Sequence, residues 1–351
     1  MHPVLIRFAV MSDGVKRQRW RLVVVVCPLL STQCAESSNL PTSHDSSVDQ
    51  TAAEVALSDQ SPDGPSLDGD VNPATDDCIT DMSAGAHTFA CRGIDFDINV
   101  PAQCLDAPCG LVFDVHGRTM SGAMQDNNTG LQALGASRGY IVVQPSANPD
   151  PPAASWSTTD DAIVFSFMQH VIATFHVDPQ RVHFTGFSQG GYMSWRFICE
   201  HADVIASAAP AAAAHGCLTG IDTSCLLEPG APAQEVDILY MHGREDALVN
   251  FSCSDEQRNS VVSAYGLGTP TTISSDDSHS WTRQQNDRGG VFEFIEHSYE
   301  SNQFLLRGHC FPGSTDPGGE PGQVFSFACE GASAFNWGEA VMDFFVTHPR
   351  D

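Results

Sequence analysis

The repeated alternation of short apolar runs with longer helical patterns is the feature that most constrains how this chain can fold. Strand-like runs lie at 94–100, 110–116, 140–144, 181–187, 236–242 and near 291–307. Helical patterns lie near 122–137, 161–176, 190–201, 255–265 and 333–347. Strands and helices that alternate along a chain form mostly parallel sheets with helices on both faces. The sequence therefore predicts one α/β domain over residues 78–351.

The chain is strongly acidic. Its 351 residues include 16 Lys and Arg but 43 Asp and Glu, which gives a formal net charge of −27. Such a surface repels nucleic acid phosphates and anionic lipid headgroups, so the sequence predicts no nucleic acid partner. A chain of this length can bury enough apolar surface to fold without a stabilising metal. The sequence leaves the oligomeric state open.

The N-terminal segment has the pattern of an export signal. Four basic residues between positions 16 and 21 precede an apolar run at 22–30. That run is too short to span a membrane as a helix, and its charged flank is typical of a secretory signal. We therefore expect residues 1–34 to be a signal peptide, with either Met1 or Met11 as the true start. The mature protein is then expected to be secreted.

A lipid anchor and a linker are the two further expectations for this end of the chain. Cys34 ends a loose lipoprotein cleavage pattern, but Gln33 stands where a small residue is expected, so free secretion and lipid anchoring at Cys34 both stay open. Residues 35–77 are rich in Ser, Asp, Pro and Ala and contain no Lys or Arg. Such a composition predicts a disordered acidic linker, because it offers little apolar surface to bury.

Ten cysteines follow residue 77, and in an exported chain an even number favours disulfide bonds. Short spacing makes Cys104–Cys109 and Cys217–Cys225 the first candidates for local bridges. Neither a Cys-x-x-Cys pair nor a histidine-rich cluster occurs among them, so the sequence predicts no metal site.

The pattern Gly-x-Ser-x-Gly occurs twice, once around Ser137 and once around Ser188. A serine nucleophile needs a sharp turn from a strand into a helix, which exposes its hydroxyl above the sheet edge. Ser188 follows the strand-like run 181–187 and precedes a helical pattern, so it fits. Ser137 ends a helical pattern and precedes a strand, which is the reverse order. We therefore predict Ser188 as the nucleophile and interpret Ser137 as part of a helix C-terminal turn.

Two backbone N–H groups are predicted to stabilise an oxyanion beside Ser188. The helix that starts after Ser188 directs its N-terminal N–H groups and dipole at the nucleophile, which makes the N–H of Gln189 one donor. The second donor should come from a loop after an early strand. His116, Gly117 and Arg118 form that loop, with the N–H of Arg118 as the expected donor. We interpret His116 as a buried structural histidine rather than a proton carrier.

The acid of a Ser-His-Asp triad should follow the serine and lie at the carboxyl end of a strand. Asp203 lies at the end of the nucleophile helix, Asp222 lies in a cysteine-flanked loop, and Asp237 lies at the wrong end of its strand. Asp246 follows the strand 236–242 at the correct end. Asp246 is therefore the predicted orienting acid.

The base should come later still. His279 is expected to lie in a polar loop, His297 ends a strand-like run and is expected to face solvent, and His348 is close to the end of the chain. His309 follows the strand-like run 303–306 within a loop that contains Cys, Pro and Gly. Such a loop can hold an imidazole in a fixed orientation, so His309 is the predicted base, and activity should fall when acid protonates it.

These motifs occur together in one known group of enzymes, and the matching stretches are 114–117, 160–161, 177–182, 186–191, 242–246 and 308–313. In them the chain resembles the secreted polyhydroxybutyrate depolymerase and feruloyl esterase family. The resemblance implies an α/β-hydrolase fold, no cofactor, and hydrolysis of polymer-linked or aromatic esters by Ser188, Asp246 and His309. Some feruloyl esterases carry cysteines beside both the serine and the histidine, but Phe187 stands beside Ser188, so that bridge is not supported.

The sequence constrains the substrate less than it constrains the catalytic residues. Trp156 and Trp281 are the predicted lining of an aromatic acyl pocket. We favour feruloyl-type esters of xylan over hydroxyalkanoate polyesters as substrates. A peptidase is disfavoured because such enzymes carry a further large domain. A non-catalytic surface-binding protein is the alternative of another class, and the ordered triad argues against it.

Overall fold

A single ten-stranded sheet forms the centre of the computed structural model, which describes residues 78–215 and 234–350. The strands are β1 (Gly85–Cys91), β2 (Ile94–Val100), β3 (Cys109–Val115), β4 (Tyr140–Ser146), β5 (Val177–Phe187), β6 (Ser207–Ala211), β7 (Asp237–Gly243), β8 (Thr271–Ser275), β9 (His279–Gln285) and β10 (Val291–His297). The predicted signal peptide, the predicted linker, Asp222 and the predicted Cys217–Cys225 bridge lie outside the described residues.

Helices cover both faces of the sheet. They are α1 (Gly122–Thr129), α2 (Leu131–Arg138), α3 (Asp160–Thr174), α4 (Gln189–Glu200), α5 (Phe251–Tyr265) and α6 (Trp337–Thr347). Apolar side chains of α3, α4 and α5 pack into one buried cluster, which includes Val164, Met193 and Val261. Side chains of α1, α2 and α6 contribute to a second cluster, which includes Met124 and Leu131. The two clusters are the two halves of the hydrophobic core.

The strand order is β1-β2-β4-β3-β5-β6-β7-β10-β9-β8. The run from β4 to β10 is parallel throughout, whereas β1, β2, β9 and β8 pair antiparallel at the two sides. This arrangement confirms the predicted α/β-hydrolase fold. Because parallel strands share one carboxyl edge, residues that follow β3, β5, β7 and β10 are brought to the same side of the molecule.

Several local predictions are wrong. The helical pattern at 122–137 forms two helices, because Gly130 adopts the left-handed conformation (φ 63°) and ends α1. Residues 303–306 form a turn rather than a strand, so the strand predicted near 291–307 ends at His297. The pattern analysis also missed β1, β6, β8 and β9.

Disulfide bonds fix three of the described loops. The predicted bond Cys104–Cys109 is confirmed, and Cys78–Cys91 and Cys310–Cys329 are also bonded. Cys199 and Cys253 are disulfide-bonded as well. Within 78–215 and 234–350, none of the helices is both long enough and apolar enough to cross a bilayer.

Candidate active site

Ser188 occupies a strained turn between β5 and α4. Its φ of 54° and ψ of −114° lie in a region that non-glycine residues rarely adopt, and its N–H donates to the Ala211 carbonyl at 2.9 Å. The flanking glycines make this turn possible. A Cβ on Gly190 would lie 1.9 Å from the Val115 carbonyl oxygen, and one on Gly186 would lie 2.4 Å from Gly190. The sequence pattern around Ser188 is therefore a steric requirement of this turn.

The second Gly-x-Ser-x-Gly copy has a different structure. Ser137 lies exposed in the last turn of α2, and its hydroxyl donates to the Leu134 carbonyl at 2.7 Å. Gly139 follows as the left-handed C-cap of that helix (φ 72°). The motif around Ser137 therefore belongs to a helix C-terminus, as the sequence order predicts.

The structure brings Asp246 and His309 into direct contact, although 62 residues separate them in the chain. His309 Nδ1 and Asp246 Oδ2 are 2.7 Å apart, with 1% and 8% of the two residues exposed. Asp246 Oδ1 accepts from the N–H groups of Leu248 and Val249, each at 2.8 Å. Burial alone raises the pKa of Asp246, but attraction to the neighbouring imidazoles and these hydrogen bonds outweigh it and leave the pKa below its usual value.

His309 lies beside the nucleophile turn. Its ring centroid is 4.7 Å from that of Phe187, the residue before Ser188, and Phe187 is 4.1 Å from Phe311. These contacts place the imidazole against the end of β5. The structure has no hydrogen bond between the Ser188 hydroxyl and the His309 ring, whose one side-chain partner among the described residues is Asp246.

His242, the penultimate residue of β7, supports the loop that carries Asp246. Its Nε2 donates to the Val249 carbonyl at 2.9 Å and lies 3.6 Å from Asp246 Oδ2. Its Nδ1 lies 3.1 Å from the Tyr240 hydroxyl. Burial lowers the pKa of His242 from its usual value, although Asp246 and the Val249 carbonyl act in the opposite sense. No role was predicted for this residue from the sequence, although a histidine at the end of a buried strand is a usable signal.

The two predicted oxyanion donors lie on either side of Ser188. Gln189 begins α4, and a Cβ on Gly117 would lie 3.1 Å from Ser188 Cβ, so the loop of Gly117 and Arg118 borders Ser188. In the described part of the chain, neither the Gln189 N–H nor the Arg118 N–H has a hydrogen-bond acceptor. His116 is fully buried and burial lowers its pKa to about 4, which agrees with a structural rather than a proton-transfer role.

The two predicted pocket tryptophans lie in different surroundings. Trp156 is 8% exposed, and its indole N–H donates to the His116 carbonyl at 2.9 Å. Trp281 lies on β9, two strands away from β7, and its indole N–H donates to Glu293 at 2.6 Å. Both indole N–H groups therefore have hydrogen-bond partners within the protein, and the contribution of the two side chains to an acyl pocket stays a prediction.

The remaining histidines have other partners. The prediction that His279 lies in a loop is wrong. His279 begins β9, is buried, and contacts Asp276 and Ser274 at 2.9 Å each. The prediction that His297 faces solvent is also wrong, because the residue is 1% exposed and burial lowers its pKa to about 3. His348 contacts the Phe344 carbonyl at 2.8 Å, at the C-terminus of α6.

The rejected acids also lie away from His309. Asp203 lies exposed in the turn that follows α4. Asp237 begins β7, where its carboxylate accepts from the Val291 N–H at 2.8 Å, and so lies at the edge of the sheet opposite to Asp246.

Comparisons with known proteins give partial matches. No protein-family model matches the chain. A bifunctional acetylxylan esterase/xylanase from Neocallimastix patriciarum is 26% identical over 164 residues, which are 46% of this chain and 23% of that protein. Feruloyl esterase B from Piromyces equi is 27% identical over 157 residues, which are 42% of this chain and 28% of that protein. The chain thus spans about a quarter of the length of these curated relatives.

Among solved structures, an acetyl xylan esterase from Aspergillus awamori aligns with a TM-score of 0.46 at 16% identity, over 58% of this chain and 87% of that one.

Proposed function

We propose that the protein is a serine ester hydrolase with Ser188 as nucleophile, His309 as base and Asp246 as the acid that orients the base. The observation that carries the proposal is the 2.7 Å contact between Asp246 and His309 beside the strained Ser188 turn. A buried carboxylate–imidazole pair next to a half-buried serine at a strand-to-helix turn is the arrangement that acyl transfer requires. The two esterase relatives support the same reaction class.

The proton path follows from the hydrogen bonds of His309. Since Nδ1 donates to Asp246, the neutral ring has its lone pair on Nε2. Rotation of the Ser188 hydroxyl brings its proton to Nε2 as the oxygen attacks the ester carbonyl. The imidazolium then gives that proton to the leaving alcohol, and an acyl-enzyme remains. Water, deprotonated by the same nitrogen, attacks the acyl-enzyme. The imidazolium then returns that proton to the Ser188 oxygen as the bond to the acyl group breaks and the acid is released.

The N–H groups of Gln189 and Arg118 are the proposed donors to the oxyanion of the tetrahedral intermediates. Both N–H groups lack acceptors in the described chain and flank Ser188, so they can bind the developing charge without first breaking other bonds. Each such donor contributes about 3–4 kcal/mol to stabilisation of the transition state.

Esters linked to xylan are the proposed substrates. One relative carries acetylxylan esterase in its name and the other feruloyl esterase, and both matches cover less than half of this chain. We propose feruloyl-type esters first and acetyl esters second. Hydroxyalkanoate polyesters remain the alternative suggested by the sequence motifs.

The proposed location is outside the cell. The N-terminal sequence pattern suggests export, and the disulfide bonds of the described residues fit an oxidising compartment. Lipid anchoring at Cys34 stays a prediction.

The test of the proposed function compares two serines in the same sequence motif. Ser188→Ala should abolish hydrolysis of p-nitrophenyl acetate and labelling by a fluorophosphonate probe, because both reactions need the nucleophilic oxygen. Ser137→Ala, in the second motif copy, should leave both unchanged. Turnover or labelling retained by Ser188→Ala would overturn the proposal.

A substrate panel separates the acyl classes. Initial rates on methyl ferulate, acetylated xylan and short hydroxybutyrate oligomers should rank the first two above the third. Turnover of the oligomers alone would overturn the xylan assignment while leaving the serine mechanism intact.

A further inference from the structure

The peptide between Gly117 and Arg118 is held in one orientation. The Gly117 carbonyl oxygen accepts from His116 Nδ1 at 2.6 Å and from the Met120 N–H at 3.2 Å. In a trans peptide the carbonyl and the following N–H point in opposite directions. The Arg118 N–H is therefore directed away from the imidazole. Because Gly117 borders Ser188, the orientation of this peptide decides whether the Arg118 N–H can serve the oxyanion.

The His116 ring can hold that peptide only in one protonation state. The Ala147 N–H donates to Nε2 at 2.9 Å, so Nε2 has no proton and the single ring proton lies on Nδ1. Burial lowers the pKa of His116 to about 4, which keeps the ring neutral under ordinary conditions. Both ring nitrogens are thus hydrogen-bonded to backbone groups, and the ring fixes the position of the Gly117 carbonyl relative to the Ala147 N–H.

Trp156 fixes the preceding peptide. Its indole N–H donates to the His116 carbonyl at 2.9 Å, and its ring centroid lies 4.9 Å from the imidazole centroid. The side chain is buried and comes from a segment 40 residues further along the chain. Trp156 therefore restrains His116 through one hydrogen bond and one ring contact.

Gln189 completes the connection. Its side-chain oxygen accepts from the Trp156 N–H at 3.0 Å, and its side-chain nitrogen donates to Ser155 Oγ at 3.1 Å. The backbone N–H of the same residue is the other proposed oxyanion donor. A continuous path of side-chain hydrogen bonds therefore runs from one donor residue to the loop that carries the second.

We propose that Gln189, Trp156 and His116 form an oxyanion strap that sets the separation and orientation of the two donor N–H groups. The three are positioning residues, because they act through the Arg118 and Gln189 backbones. This inference rests on the proposed function and deepens it. It assigns Trp156 to the geometry of the transition state, a role separate from the acyl-pocket lining predicted from the sequence.

The primary test is Trp156→Phe, which keeps an aromatic ring and removes the indole N–H together with the five-membered ring that carries it. Its matched control is Trp195→Phe, since Trp195 on α4 is buried and its indole N–H also donates to a backbone carbonyl, that of Ala213, at 3.0 Å. For Trp156→Phe we expect kcat on p-nitrophenyl acetate to fall about ten-fold or more, with KM changed less than about two-fold. Binding of a boronic acid, which forms a tetrahedral adduct, should weaken by the same factor. Trp195→Phe should keep kcat and boronate affinity.

Gln189→Met is the second variant. It removes both side-chain hydrogen bonds of Gln189 and keeps a side chain of similar size, so it tests the strap even if Trp156→Phe does not fold. It should show the same split between kcat and KM. Wild-type kcat and boronate affinity in the folded variants would overturn the strap, and so would an equal loss in Trp195→Phe. A wild-type protein without Ser188-dependent turnover would instead overturn the proposed function.

Discussion

At the scale of single residues, Asp246 is the most tightly constrained group of the candidate site. Two backbone N–H groups hold one of its oxygens and the His309 imidazole binds the other. The carboxylate therefore has no freedom to rotate, and it fixes which nitrogen of His309 has the proton. Orientation of the base is a property of this one side chain.

Asp246→Asn should reduce kcat about 10³- to 10⁴-fold while leaving the fold intact. An amide oxygen can still accept from Leu248 and Val249, but the amide nitrogen cannot accept from His309 Nδ1, so the ring adopts the wrong tautomer. Steady-state kinetics on p-nitrophenyl acetate give the measurement. Asp237→Asn, at the other end of β7, is the control and should keep wild-type kcat. A loss below about ten-fold in Asp246→Asn would contradict the assignment.

The sequence singled out Ser188, Asp246 and His309 because each follows a recognisable strand or strand-like run in the order that the motif requires. The partners of His116 and Trp156 could not be predicted, because they depend on contacts between segments about 30 to 40 residues apart. His297 was misjudged because β10 is flanked on both sides by strands from other parts of the chain. His297 pairs with Gly243 of β7 and with His279 of β9, and no pattern within β10 itself records those neighbours.

At the scale of elements, the contact between α1 and α6 depends on a glycine. A Cβ on Gly338, in the first turn of α6, would lie 1.7 Å from the Thr129 carbonyl oxygen at the end of α1. The two helices therefore approach each other backbone to backbone. Gly130, the next residue along the chain from Thr129, is a glycine for a different reason: its φ is 63°, and a Cβ there would meet nothing within 4 Å.

Gly338→Ala should lower the free energy of unfolding by about 3 kcal/mol or more, because α6 must move away from α1. Gly130→Ala should cost only about 1 kcal/mol, since it adds backbone strain without a clash. Urea unfolding of both variants measures the difference. A smaller loss in Gly338→Ala than in Gly130→Ala would show that the close approach is not required.

Elements with strong apolar periodicity were predictable, and elements without it were not. β5 and α4 end within a few residues of their predicted bounds. β6 is a run of Ser, Ala and Pro with low strand propensity, and it is a strand because both of its neighbours pair with it. β9 is polar apart from Trp281, and its pairing with β10 positions Arg283 next to Glu293. Pairing with neighbouring strands, rather than the local sequence, therefore makes both segments strands.

At the scale of the whole molecule, the histidines that folding removes from solvent make the free energy of unfolding depend on pH. Burial lowers the pKa of His116 to about 4 and of His297 to about 3, and it also lowers the pKa values of His183, His201 and His242. As pH falls below about 6.5, the unfolded chain binds protons that the folded chain excludes, so each of these residues makes stability fall. Asp114 acts in the opposite sense, because burial raises its pKa to about 6.

His297→Phe isolates one of these contributions. The wild-type protein should lose about 2 kcal/mol more than the variant between about pH 7 and pH 5, since phenylalanine has no proton to gain in the unfolded state. Phenylalanine keeps a ring against Tyr299. Urea unfolding of both proteins at the two pH values gives the comparison. Equal losses in the two proteins would contradict the prediction.

Under the proposed function, the bond between Cys310 and Cys329 has a consequence for when the protein becomes active. His309 immediately precedes this bond, so the segment that holds the proposed base is closed into a ring only after oxidation. Under the proposed function, a newly made chain in a reducing cytosol would have an untethered base and little ability to cleave esters of its host. Oxidative folding would then activate the protein only as it is exported, in the way that removal of a propeptide activates a zymogen.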